Sequence, residues 1–218
     1  MKLKSLLLFL FVSLAFTGCI FKRSGDIIFP AADTPWHFSI EATIFNITAV
    51  VPQGRTAFND VDAASENPYY LALPFNPSAY SGPSGAYPAD VKNLWVQIVN
   101  TVNQRSCYAQ WEDVGPWFVD DCNYVFSTDG KIRPATESLF GKTAGIFLHS
   151  QNQTVRTVLN KAGIDLSPAT AEYLGISGKG LVHWRLVDQD SVPFGPWSQK
   201  ISTTAPHYKS KVQFSVCN

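Results

Sequence analysis

The sequence predicts a mostly β fold: a β-barrel with long loop insertions and one or two short helices. Three observations carry that expectation. Short segments of alternating apolar and polar residues recur along the chain. Pro and Gly, 14 of each in 218 residues, punctuate them. Only one segment carries a full set of helix start and stop signals. Short strands separated by turn residues are the pattern of barrels and sandwiches.

In chain order, HFSIEATIFNITAVV (37–51) alternates in the manner of a strand, and the polar PQGRTAFNDVDAASENP after it is a long loop. YYLALPF (69–75) is a second strand candidate. NPSAYSGPSGAYPADVKN holds three Pro and two Gly in eighteen residues and must be irregular. LWVQIVNTV and SCYAQWEDV, separated by NQR, form a hairpin with Gln97, Asn100, Gln110 and Glu112 facing outward. In GIDLSPATAEYLGISGKG, Ser167 is the N-cap, Pro168 takes the first helical position, and Gly175 ends the helix in the left-handed conformation. TVRTVLNKAG, overlapping the poorly readable stretch 131–160, reads as a second short helix. LVHWRLVD (181–188) is a strand, VPFGPW a loop, and KVQFSVC (211–217) a last strand.

The N-terminus has the build of an export signal. Lys2 and Lys4 precede an apolar stretch from Leu6 to Phe16, too short to span a bilayer, and FTGC then resembles a bacterial lipobox with Cys19 as the lipidated residue. Phe16 stands where Leu is usual, and plain secretion after Gly18 is the alternative. A lipid on Cys19 implies a membrane partner through the anchor alone. In a cell with two membranes, Ile20 after that cysteine resembles the pattern sorted to the outer one, at its periplasmic face. The chain then divides into a signal peptide (1–18), a membrane tether (19–36), a barrel domain (37–200) with an insertion at about 131–160, and a C-terminal extension or edge strand (201–218).

The whole chain has 17 basic and 17 acidic residues, and loss of residues 1–18 removes two lysines and no acid, for a net charge of −2. No basic stripe appears, which argues against nucleic acid as a partner. No pair of His or Cys has metal-ligand spacing, so neither a metal nor a cofactor is expected, and nothing suggests more than a monomer. In an oxidising setting Cys107 and Cys122 are the natural disulfide pair, with Cys217 left over. A loop of that size gains roughly 3 kcal/mol from a link.

Two motifs carry a family resemblance. Glu112-Asp113-Val114-Gly115-Pro116-Trp117 ends the hairpin, and Ile164-Asp165-Leu166-Ser167-Pro168 opens the helix. In that order they resemble the double-psi β-barrel of rare lipoprotein A-like proteins, whose Asn-Asp-x-Gly-Pro-Phe and Asp-Leu-Ser motifs they approximate. Leu73-Pro74-Phe75 looks like that family's Leu-Pro-Phe-Gly. A subgroup of exported barrels with Cys-Tyr-Ala-Gln-Trp-Glu-Asp and Asp-Asp-x-x-Tyr-Val-Phe is closer still. The likeness covers about residues 69–188.

The resemblance implies a six-stranded double-psi barrel that engages cell-wall glycan, peptidoglycan above all, and it admits lytic transglycosylase chemistry. Carried across, Asp165 is the general acid and Asp113 its helper; Trp111, Trp117, Tyr70 and Tyr108 are the aromatic candidates for the groove. The chemistry needs one acid that stays protonated near neutral pH, which burial arranges. Tyr70 stands where the family often has a His, and His149 lies in the insertion.

Each residue also has a plainer reading. Asp165 can bond backbone amides at the helix start, Asp113 can be a turn acid, and Trp111 and Trp117 can be core. Glu112, Asp120 and Asp121 read as solvated. The alternative function is a non-catalytic glycan- or protein-binding envelope domain.

Overall fold

The computed structural model describes residues 34–45, 66–77, 91–147 and 153–203. Six strands close into a barrel: β1 (His37–Ile44), β2 (Tyr70–Leu73), β3 (Trp95–Asn100), β4 (Ser106–Val114), β7 (Ala162–Leu166) and β8 (Lys179–Val187). Around the barrel they run β1-β7-β2-β4-β3-β8. β1·β7 and β2·β4 are parallel, and the other four pairings are antiparallel. Each parallel pair brackets intervening chain, the mixed topology of a double-psi barrel. Between β4 and β7 lie two helical turns, α1 (Cys122–Val125) and α2 (Ala135–Leu139), and a separate hairpin, β5 (Thr143–Phe147) with β6 (Gln153–Thr157). Helix α3 (Pro168–Leu174) follows β7.

Alternation explains the core. Val96 and Ile98 of β3, Cys107, Ala109 and Trp111 of β4, Ile164 and Leu166 of β7, and Val182, Trp184 and Leu186 of β8 all point into the barrel. Three irregularities break this period: one on β1 between His37 and Ile40, and two bulges nearer the site. On β4 the step from Trp111 to Asp113 matches a single step on β2, Leu71 to Ala72, so Glu112 is the unpaired residue. On β7 the step from Ala162 to Ile164 matches Glu41 to Ala42 on β1, so Gly163 is the other. Gly163 is required there: an added Cβ would lie 2.8 Å from Ile40 Cγ2, Pro134 Cγ and Tyr124 Oη.

Helix α3 forms as its caps predict. Ser167 Oγ accepts from Thr170 N at 3.2 Å, and Gly175 closes the helix at φ 72°. Other expectations need correction. TVRTVLNKAG is no helix; it supplies most of β6 and the start of β7. Its β-branched residues suit pairing with β5 better than a helix. Asn100, Gln110 and Glu112 do not face outward but are buried, while Gln97 is half-buried. The last strand candidate at 211–217, and residues 46–51 of the first, lie outside the described residues.

The bulge at Glu112 accounts for the largest of these corrections. Glu112 is 0% exposed and its carboxylate lies 3.5 Å from Lys92 Nζ, which in turn sits 2.5 Å from Glu66. All three side chains are buried. Burial first, then the Glu66 charge, pushes the Glu112 carboxyl up to about 8, against the pull of Lys92. Gln110 and Asn67 extend this polar cluster, with Ser202 Oγ accepting from Asn67 N at 2.7 Å.

The Cys107–Cys122 disulfide is not formed. Cys107 is a free thiol in the core, and burial pushes its pKa up to about 12. It points into the barrel from β4, as alternation with Ala109 and Trp111 requires, whereas Cys122 starts α1. Cys122 is disulfide-bonded, but not to Cys107.

Candidate functional site

Register assembles the two acids singled out by the motifs. Asp165 pairs with Thr43 on β1 and with Ala72 on β2, and Ala72 pairs on its other side with Asp113 on β4. The row Thr43–Asp165–Ala72–Asp113 crosses four strands. Asp113 and Asp165 are therefore two strand spacings apart, roughly 10 Å at the backbone. The β4 bulge is what moves Asp113 out of the Trp111 period and into this row.

Their surroundings differ sharply. Asp165 opens on a cleft of about 460 Å³ lined by Thr43, Pro116, Trp117, Arg156 and Asn160, with Ile44 and Gly178 completing the wall. Asp113 is not among the lining residues and is only 3% exposed. Its Oδ1 accepts from Val114 N at 2.8 Å, and its carbonyl accepts from Trp111 Nε1 at 2.8 Å. Asp113 thus braces the strand end, the role of a turn acid, and the pairing of the two acids as catalytic partners is set aside.

Within the cleft, Asp165 Oδ1 accepts a hydrogen bond from the Thr43 hydroxyl. Its Oδ2 lies 3.5 Å from the point a Cβ on Gly115 would occupy. Gly115 has φ 145°, a conformation that side chains resist, so glycine both permits the turn and leaves room beside the acid. Burial raises the Asp165 carboxyl from an ordinary 3.8 to about 6, with the Thr43 bond opposing that rise. A group so poised donates and recovers a proton near pH 6. Asp165 is the only carboxylate among the described lining residues, which disfavours two-carboxylate hydrolysis.

Trp117 and two residues of the insertion, Arg156 and Asn160, add to the cleft wall. Trp117 is held at φ 60°, rare for a bulky residue, and its Nε1 donates to Asn160 Oδ1 at 2.7 Å. Arg156 at the end of β6 adds a positive charge. Arg156 and Asn160 of the insertion therefore form part of the cleft wall. Asn160 and Arg156 were not singled out from the sequence; Asn160 is 43 positions from Trp117 and no local pattern ties them.

The remaining candidates are distributed as follows. Trp111 is 0% exposed and fills the barrel, and Tyr70 is buried beside α3, so neither can touch a ligand as the sequence reading had it. Tyr108 is half-buried against Trp197, with ring centroids 5.3 Å apart. His183 is a barrel residue whose Nδ1 accepts from Ser39 N at 3.0 Å. His37 stacks on Trp184 at 4.0 Å, and burial, then the Arg133 charge, lowers it to about 4. Asp121 is half-buried instead of solvated, and its Oδ2 accepts from Ala135 N at the start of α2. Cys19, His149 and Cys217 lie outside the described residues.

Compared with known proteins, the chain matches no family model and no curated relative.

Proposed function

We propose that this chain is an exported, lipid-anchored envelope protein of the rare lipoprotein A-like type, working as a monomer, whose Asp165 cleft engages cell-wall glycan and cleaves it in the manner of a lytic transglycosylase. The observation that carries the reading is a single carboxyl, raised to about 6, in an open cleft walled by an indole held in place. The export signal read from residues 1–18 and the disulfide at Cys122 support an oxidising location.

In this mechanism protonated Asp165 donates to the glycosidic oxygen. The bond from that oxygen to the anomeric carbon breaks, and its electron pair stays on the leaving sugar. The 6-hydroxyl of the cleaved sugar closes on the anomeric carbon, and its proton passes back to the Asp165 carboxylate. The products are a free hydroxyl end and an anhydro-sugar end, with no water consumed. One acid suffices because it serves first as acid and then as base. Trp117 offers its ring to the sugar, Arg156 takes a carboxylate on the glycan, and Asn160 orients Trp117.

Purified peptidoglycan sacculi digested by the protein and by Asp165→Asn test the reading. Mass analysis of the released fragments is expected to show anhydro-sugar ends with the native protein and none with the variant. Fragments with reducing ends would contradict the single-acid mechanism. Co-sedimentation with intact sacculi but no released product leaves the binding-only reading in its place.

A further inference from the structure

A second cleft, of about 690 Å³, lies away from Asp165 and is lined by Tyr69, Arg105, Ser106, Ala169, Glu172 and Tyr173. It lies between α3, the β3–β4 turn and the chain entering β2, whereas Asp165 pairs with Ala72 toward the far end of β2. We infer that this cleft is a binding site for an uncharged, hydroxyl-rich saccharide, separate from the Asp165 cleft.

The aromatic part is a corner. The rings of Tyr69 and Tyr173 meet nearly edge to face, at 81° with centroids 6.2 Å apart. Each also stands at 83° to Trp197. Trp197, 5% exposed, does not line the cleft but packs behind both tyrosines, and its Nε1 donates to Pro193 O at 2.9 Å. Tyr173, 37% exposed, is the open wall. A fixed indole behind a tyrosine keeps that ring oriented without a ligand. Such a ring accepts the apolar C–H face of a pyranose.

The polar part is open. The Arg105 guanidinium makes one long hydrogen bond, 3.4 Å to Tyr173 O, and no ion pair among the described residues. Its backbone is fixed, with Arg105 N donating to Asn103 Oδ1 at 3.0 Å while Asn103 Nδ2 donates to Leu174 O at 2.9 Å at the end of α3. Among the described residues Glu172 has no ion pair either, and neither phenol hydroxyl makes a hydrogen bond. A guanidinium offers only donors and a carboxylate only acceptors, while every sugar hydroxyl can do both. A neutral saccharide satisfies the two charges together; an anion is favoured by Arg105 and opposed by Glu172.

The test is chemical-shift mapping of the isotope-labelled mature protein with glucose and N-acetylglucosamine tetrasaccharides. Saturable shifts are expected at residues 105–106 and 169–173. Tyr173→Ala, at a surface ring, is expected to weaken binding at least tenfold with the fold intact by circular dichroism. Arg105→Gln is expected to weaken it by a smaller factor, and Asp165→Asn to leave these shifts unchanged. If neither sugar shifts these residues, or if Tyr173→Ala binds as the native protein does, the inference is wrong. Shifts confined to residues 115–117 and 160 would also overturn it, while supporting the Asp165 cleft as the sole glycan site.

Discussion

Replacing Asp165 by Asn should make the protein more stable at pH 8 and leave it unchanged near pH 3.5. The carboxyl titrates at about 6 in the fold against an ordinary 3.8. A raised carboxyl binds its proton more tightly folded than unfolded, so stability is highest below 3.8, falls as pH rises between the two values, and is fully lost above 6. At about 1.4 kcal/mol per pH unit, the ionised acid costs the fold about 2–3 kcal/mol. Asn keeps an oxygen for the Thr43 hydroxyl and cannot ionise, so it removes that cost and little else. Urea unfolding of both proteins at pH 3.5, 5, 6 and 8 measures it. The difference should grow from near zero to about 2–3 kcal/mol in favour of Asn. A difference independent of pH, or one favouring Asp at pH 8, would refute the claim that burial holds this proton. The gain in stability with loss of function is the trade expected of a residue kept for chemistry.

Other expectations can be checked on the same material. Lys92→Met removes the buried cation between Glu66 and Glu112 and should cost about 3–5 kcal/mol, seen as a lowered urea midpoint. Gly163→Ala forces three contacts at 2.8 Å to yield and should cost about 1–3 kcal/mol by the same measurement. Cys107 should resist thiol-specific labelling in the folded, non-reduced protein and label once in denaturant; a protein with no free thiol after denaturation would restore the Cys107–Cys122 pairing. Cys19→Ser should move the protein from the membrane fraction to the soluble fraction, and equal partition of both forms would remove the lipid anchor.

Much of the barrel was legible because β3, the first half of β4 and β8 keep a period of two. β3, β4 and β8 each put every second residue into the core, and the Ser167–Pro168–Gly175 punctuation marked α3 correctly. What could not be read depends on contacts distant in sequence. β7 is five residues long, carries Gly163 at a bulge, and runs directly into a helix cap, so it looked like a helix leader. Glu112 seemed solvated because alternation assumes no bulge, and its cation, Lys92, comes from a loop twenty positions earlier. The same bulge separated the two tryptophans of one motif: Trp111 stayed in the barrel period, while Trp117, beyond the Gly115–Pro116 turn, reached the cleft. Asp165 was found from its motif, but its setting was not, since Thr43 and Asn160 come from β1 and from the insertion.

The most direct measurement is the pH profile of anhydro-product release from sacculi by the native protein. An acid at about 6 predicts a rate that falls toward tenfold per pH unit above that value and vanishes in Asp165→Asn at every pH. A rate flat from pH 5 to 8, or equal release by the variant, would contradict Asp165 as the proton donor.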